Sequence, residues 1–222
     1  MRQARALMER LSGTGRLERS AERDAALRAM LPEVPRLGWS TAALRAGLSA
    51  AGEAPDAAAW LFPRGPAGMV EAWCDLADRD MAEAAAGMAL EEQRIPARIR
   101  ALVALRLRQQ RPHKEAVRRA MALLALPWNA AAAARATART TDAIWQAAGD
   151  TSHDLSFYTR RATLAGVYGT TLAFWLHDAD PDDAATLAFL DRRLADVARL
   201  QRRPRRPAAG AASAGKAEAA AP

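Results

Sequence analysis

Apolar residues recur with helical spacing over most of the chain. Val117, Ala120, Met121 and Leu124 stand at i, i+3, i+4 and i+7, and Leu187, Leu190, Leu194 and Val197 trace a seam suited to another helix. From Gly65 onward this period predicts helices over 66–88, 95–110, 113–126, 129–148, 157–176 and 182–200, with Pro112 and Asp180-Pro181 marking helix starts. Upstream the elements are shorter. A helix begins at Glu22 or Asp24 with Ala26, Leu27, Met30 and Leu31 on one side; it reaches Leu37, with Pro32 and Pro35 straining its last turns and Gly38 stopping it. Ser40 or Thr41 N-caps a second helix through Ala51, Gly52 ends it, and Pro55-Asp56 opens a third through Leu61. Three short helices with glycine turns predict a helix-turn-helix unit.

The pattern divides the chain into an Arg-rich extension (1–21), a helix-turn-helix-like subdomain (22–64), a long-helix domain (65–200) and a tail (201–222). The tail has no apolar face and abundant small residues and proline, so it is expected to be disordered. Composition agrees with an all-α fold: alanine is abundant, and isoleucine occurs only at 95, 99 and 144. Cys74 is the single cysteine, which excludes an internal disulfide. No apolar run near the start resembles a signal peptide, and Glu9 and Glu18 make the first residues too acidic for a transit peptide.

The net charge of +7 lies at the ends. Residues 1–23 contribute +3 and residues 201–222 contribute +4, while 24–200 holds 21 basic and 21 acidic residues. The body therefore lacks a basic footprint for nucleic acid, and only the ends could be drawn to an anionic membrane surface. The uncharged run 162–176 is 15 residues long with three Thr and two Gly, short of the roughly 20 apolar residues of a spanning helix. It is predicted to be a buried central helix.

Catalysis finds little support. His113, His153 and His177 fall in separate connections without the spacing of a helical metal site, and nothing around Cys74 suggests a nucleophile. The acidic run Asp178, Asp180, Asp182 and Asp183 lacks the central glycine and closing glutamate of a calcium loop and is read as helix capping. By contrast, the connection ahead of the helix 157–176 is crowded with Asp150, His153, Asp154, Phe157, Tyr158, Arg160 and Arg161. Phe157 and Arg161 share a face at i and i+4, Tyr158 sits on its edge, and aromatic and arginine side chains are favoured at interfaces. The residues also allow a second reading, in which Asp154 and Ser156 cap the helix and Phe157 packs inward.

Two segments carry a family resemblance. RLGWSTAALRAGLSAAGEAPDAAAWLFPRG is similar to the helix-turn-helix of TetR-type regulators, and the ALPWN and AGDTSHDLSFYTRRATLAGVY blocks resemble the ubiquinone biosynthesis accessory family called Coq-nine. That resemblance implies a TetR-like helical bundle, a homodimer and a non-enzymatic protein without cofactor. It further implies that the protein holds a ubiquinone precursor or other isoprenoid lipid and presents it to a demethoxyubiquinone hydroxylase-type enzyme. The expected location is cytoplasmic, peripheral to the inner membrane of a bacterium, with eukaryotic relatives in mitochondria. The partner surface implied is Asp154, Phe157, Tyr158 and Arg161, with Phe157 where the family usually has Trp. Leu102, Leu105, Met121, Leu124, Ile144, Leu164, Tyr168 and Phe174 lie on the helices that would surround a lipid chamber, although core filling uses the same residue types. Helices 157–176 and 182–200 are the expected dimer interface.

The alternative is a TetR-type repressor. Residues 24–62 carry three arginines, at 28, 36 and 45, against Asp24, Glu33, Glu53 and Asp56, and a net negative surface repels a duplex.

Overall fold

Proline and serine set the first elements. In the computed structural model, which describes residues 18–150 and 155–202, the Ser20 hydroxyl accepts the Arg23 N–H and starts α1 (Ala21–Met30). The sequence predicts one helix as far as Leu37. The backbone instead tightens into a 3-10 turn at Leu31–Glu33 and resumes as α2 (Val34–Leu37), because Pro32 and Pro35 cannot donate into a continuous α ladder. Gly38, at φ +69°, ends it in a conformation that other residues rarely adopt. Ser40 then caps α3 (Thr41–Ala50) through the Ala43 N–H, and a 3-10 turn at Pro55–Ala57 leads into α4 (Ala58–Leu61).

The long helices follow near their predicted bounds: α5 (Gly65–Ala85), α6 (Ile95–Gln110), α7 (Lys114–Leu124), α8 (Ala130–Ala147), α9 (Leu155–His177) and α10 (Ala184–Arg202). The described residues are all-α, with no strand among them. Helix α5 is central, packing on α8, α6 and α1. Its buried Glu71 is gripped by Arg135 and Arg139 of α8, at 2.6 Å each, which ties the two helices together. Trp39, after the first helices, packs on Trp73 of α5 with ring centroids 5.1 Å apart and donates its indole N–H to the Ala116 carbonyl of α7. The hydrophobic core is therefore continuous from Ala26 to Leu190.

The acidic turn between α9 and α10 is built from caps, as its sequence suggests. Asp178 accepts from the Asp180 N–H and from both the backbone and hydroxyl of Thr186, while Asp180 accepts from the Asp182 and Ala184 N–H groups. Asp183 receives the indole N–H of the fully buried Trp175 at 3.0 Å. None of the described helices is long and apolar enough to cross a membrane.

Candidate functional site

Helix α9 carries two features worth separating, an edge at its first turn and a wall of a cleft further along. At the first turn, Tyr158 is 38% exposed and meets Phe157 edge-on, with centroids 5.1 Å apart. Phe157 is half-buried, with the Arg161 guanidinium 3.3 Å from its ring centroid. Arg161 itself is only 6% exposed. Its Nε donates to Asp142 at 2.8 Å, its Nη2 lies 2.7 Å from the same carboxylate, and Asp150 sits 3.4 Å away.

This corrects the expectation for Arg161. The side chain is not presented to a partner, because two internal carboxylates and the Phe157 face already use it. It holds α9 against α8 and supports the aromatic pair from beneath. Arg160 is the more open of the two arginines, paired with Asp150 at 3.1 Å and lying over the Trp145 ring at 5.9 Å. The inward reading of Phe157 is thus half right. Asp154 lies outside the described residues.

What brings Asp150 to this place is the end of α8. Gly149 turns the chain at φ +82°, and Arg98 of α6 reaches across to donate to the Ala148 carbonyl at 3.0 Å.

Match to known proteins falls on this same segment. Residues 130–201, from α8 to α10, match the family model described as COQ9. The chain is 33% identical over 182 residues to a ubiquinone biosynthesis protein COQ9, mitochondrial, of Xenopus tropicalis, which covers 77% of this chain and 56% of that one. The chain belongs to the COQ9 family. The Homo sapiens COQ9 is 31% identical over 182 residues, covering 78% of this chain and 57% of its own length. This COQ9-family chain thus spans little more than half the length of these curated relatives. Its fold is that of a TetR transcriptional regulator from Nitrosomonas europaea ATCC 19718, with a TM-score of 0.63, 21% identity, and coverage of 81% of this chain and 99% of that one.

The second feature is a cleft of about 360 Å³ between α5, α6, α7, α8 and α9. Of the residues expected to surround a lipid, Met121, Leu124 and Tyr168 line it. Leu102, Ile144 and Leu164 are instead fully buried core, and Leu105 is packed against that core without reaching the cleft. Phe174 faces away, 37% exposed and stacked on Phe189 of α10 at 4.7 Å. These five residues lie off the cleft for one reason: the helix crossings decide which apolar face meets it, and periodicity reports only that a face is apolar. Small residues of α8 and α9 supply part of the cleft wall at Ala133, Ala136, Ala165 and Gly169.

The cleft is graded along its depth in this COQ9-family chain. Its outer rim includes the exposed Ala125 and Thr137, whereas its inner end holds the buried Trp73, Arg106, Gln110, Thr140 and Tyr168. Arg106 sits on the apolar face of α6, in register with Ile99, Leu102 and Val103. A charge at that register is the signal in the sequence that marks this end of the cleft. Arg106 pairs with Asp78 of α5 at 2.9 Å, and the Thr140 hydroxyl donates to Asp78 at 2.9 Å. Burial works against the Arg106 charge, but Asp78 outweighs it and holds the guanidinium above its ordinary value. Burial pushes the Tyr168 phenol up to about 12 and the Cys74 thiol up to about 11, so both are neutral at physiological pH. A larger groove of about 710 Å³ is lined by Asp75, Asp78, Arg79, Arg139 and Asp142, walls that do not suit an apolar ligand.

Proposed function

We propose that this chain is a non-catalytic lipid carrier and adaptor in ubiquinone synthesis, holding an isoprenoid precursor in the cleft and docking a ring-modifying hydroxylase at the first turn of α9. The observation that carries the reading is the apolar cleft walled by Met121, Leu124, Tyr168 and Leu172. Its volume is at the low end of small-molecule sites, roughly 300–1,000 Å³, so it takes a ring and the start of a tail while the rest of the tail lies outside. The curated relatives, named as ubiquinone biosynthesis proteins, supply the pathway.

Docking falls to Tyr158, with Phe157 beside it and Arg161 beneath. Contact with the membrane is peripheral and electrostatic through the basic ends, and the exposed Trp128, on the turn between α7 and α8, adds an amphipathic ring near the cleft rim. The protein works as a homodimer through α9 and α10. The repressor alternative gains nothing from α4, a four-residue helix without a basic side chain.

Organic extraction of freshly purified protein, followed by mass spectrometry, is expected to recover an isoprenoid quinone precursor. Recovery of no isoprenoid lipid overturns the carrier reading. Tyr158→Ala is expected to lower capture of the hydroxylase in pull-downs at unchanged helicity, and equal capture overturns the docking edge.

A further inference from the structure

We infer that the inner end of the cleft is a recognition site for a hydroxyl-bearing aromatic ring, built from Arg106 and Gln110, so that the lipid enters ring first with its tail towards the Ala125 and Thr137 rim. This rests on the carrier reading and adds to it an orientation and a choice among ring chemistries.

Two polar atoms at that end lack hydrogen-bond partners. Arg106 is 4% exposed and Gln110 is 8% exposed, both line the cleft, and the Arg106 Nε and Gln110 Oε1 are buried and unpaired. Native interiors seldom leave such atoms unsatisfied. The Arg106 Nη2 is committed, lying 2.9 Å from Asp78 and within 3.5 Å of the Thr140 hydroxyl. Its Nε–H is the buried donor left without a partner. Gln110 follows Arg106 by four residues on α6, so the two side chains stand one above the other on the same face.

A guest that answers both atoms must accept from Nε and donate to Oε1. A phenolic hydroxyl does both at once, whereas a quinone carbonyl only accepts and leaves the Gln110 oxygen unmet. Charge narrows the class further. Arg106 is already balanced by Asp78, and the neighbouring Tyr168 and Cys74 are neutral, so the end offers no surplus positive charge to a phosphate or carboxylate. The flat Trp73 and Tyr168 side chains beside it suit a planar guest. The apolar remainder, from Met121 to Leu172, accommodates the beginning of a prenyl tail.

The test is calorimetric titration of the full chain with three ligands of matched tail: 2-geranylphenol, its methyl ether and geranyl-1,4-benzoquinone. The phenol is expected to bind about tenfold more tightly than either of the others, the worth of one hydrogen bond of ordinary strength. Gln110→Leu, which leaves the Arg106–Asp78 pair intact, is expected to erase that preference while still binding all three. Equal affinities in the unaltered protein, or a preference that survives Gln110→Leu, overturn the ring-first site and leave the carrier reading standing if extraction recovers lipid. No binding of any ligand overturns the site as well, and together with a lipid-free extract it removes the carrier reading. The comparison of phenol with methyl ether needs no variant, so it decides the matter even where Gln110→Leu fails to fold.

Discussion

Arg161 and Tyr158 stand three residues apart on α9 and have opposite fates. Tyr158 keeps its outer edge in solvent, and its removal is expected to cost only about 1 kcal/mol, the worth of its contact with Phe157. Arg161→Leu takes from Asp150 one of its two arginines, leaving Arg160, and takes from Asp142 its arginine, leaving Gln146. Its cost is expected to be about 2 kcal/mol, below the range for breaking a buried pair, because Arg160 still serves Asp150 and Asp142 keeps part of its hydration. Urea unfolding of the two variants separates the roles, and an Arg161→Leu loss no larger than that of Tyr158→Ala contradicts the positioning role. The sequence places an aromatic–arginine cluster here correctly but misjudges which member faces out. The partners of Arg161 lie 11 and 19 residues away, and nothing local reports where Asp150 and Asp142 arrive.

Among the elements, the crossing of α1 and α3 is the least forgiving. A β-carbon at Gly47 would meet the Ala29 carbonyl oxygen at 2.5 Å and the Met30 α-carbon at 2.6 Å, both backbone atoms that cannot swing aside. Gly47→Ala is expected to destabilise the protein by about 2 kcal/mol or more through overpacking, despite the better helix propensity of alanine. A melting temperature unchanged from that of the parent chain contradicts this. The stop and cap signals of these short helices were legible: Ser40 and Gly38 stand where capping chemistry puts them. The closeness of the crossing was not, since Gly47 in a helical pattern reads as a simple weakness until the neighbouring backbone is seen.

On the scale of the whole molecule, acid stability turns on Glu71. Burial works to raise its carboxyl, but Arg135, Arg139 and Arg64 outweigh it and hold it below the ordinary value of 4.5. A carboxyl lowered in the folded state stabilises above the unfolded value, and that contribution is lost as pH falls through the folded one. Unfolding midpoints are therefore expected to drop below about pH 4.5, with Glu71→Gln less stable at neutral pH but flatter across that window. Parallel acid profiles of the two proteins contradict this. The helical class, the order of elements and most helix bounds followed from periodicity and punctuation. The cleft did not, because a buried wall and a packed core are written in the same residues, and only the polar pair Arg106 and Gln110 marks the difference.

In the proposed function, helix α9 bears both the docking edge and one wall of the cleft. Ten residues separate Tyr158 from Tyr168, about 15 Å of rigid helix. A partner that shifts α9 on docking at Tyr158 also moves the wall at Ala165, Tyr168 and Leu172. The two sites are then thermodynamically linked, and linkage is reciprocal: whatever factor the partner applies to lipid affinity, the lipid must apply to partner affinity. A loaded chain and an empty one would then present the same aromatic edge with different strength, and a single helix would report occupancy of the cleft to the proposed partner.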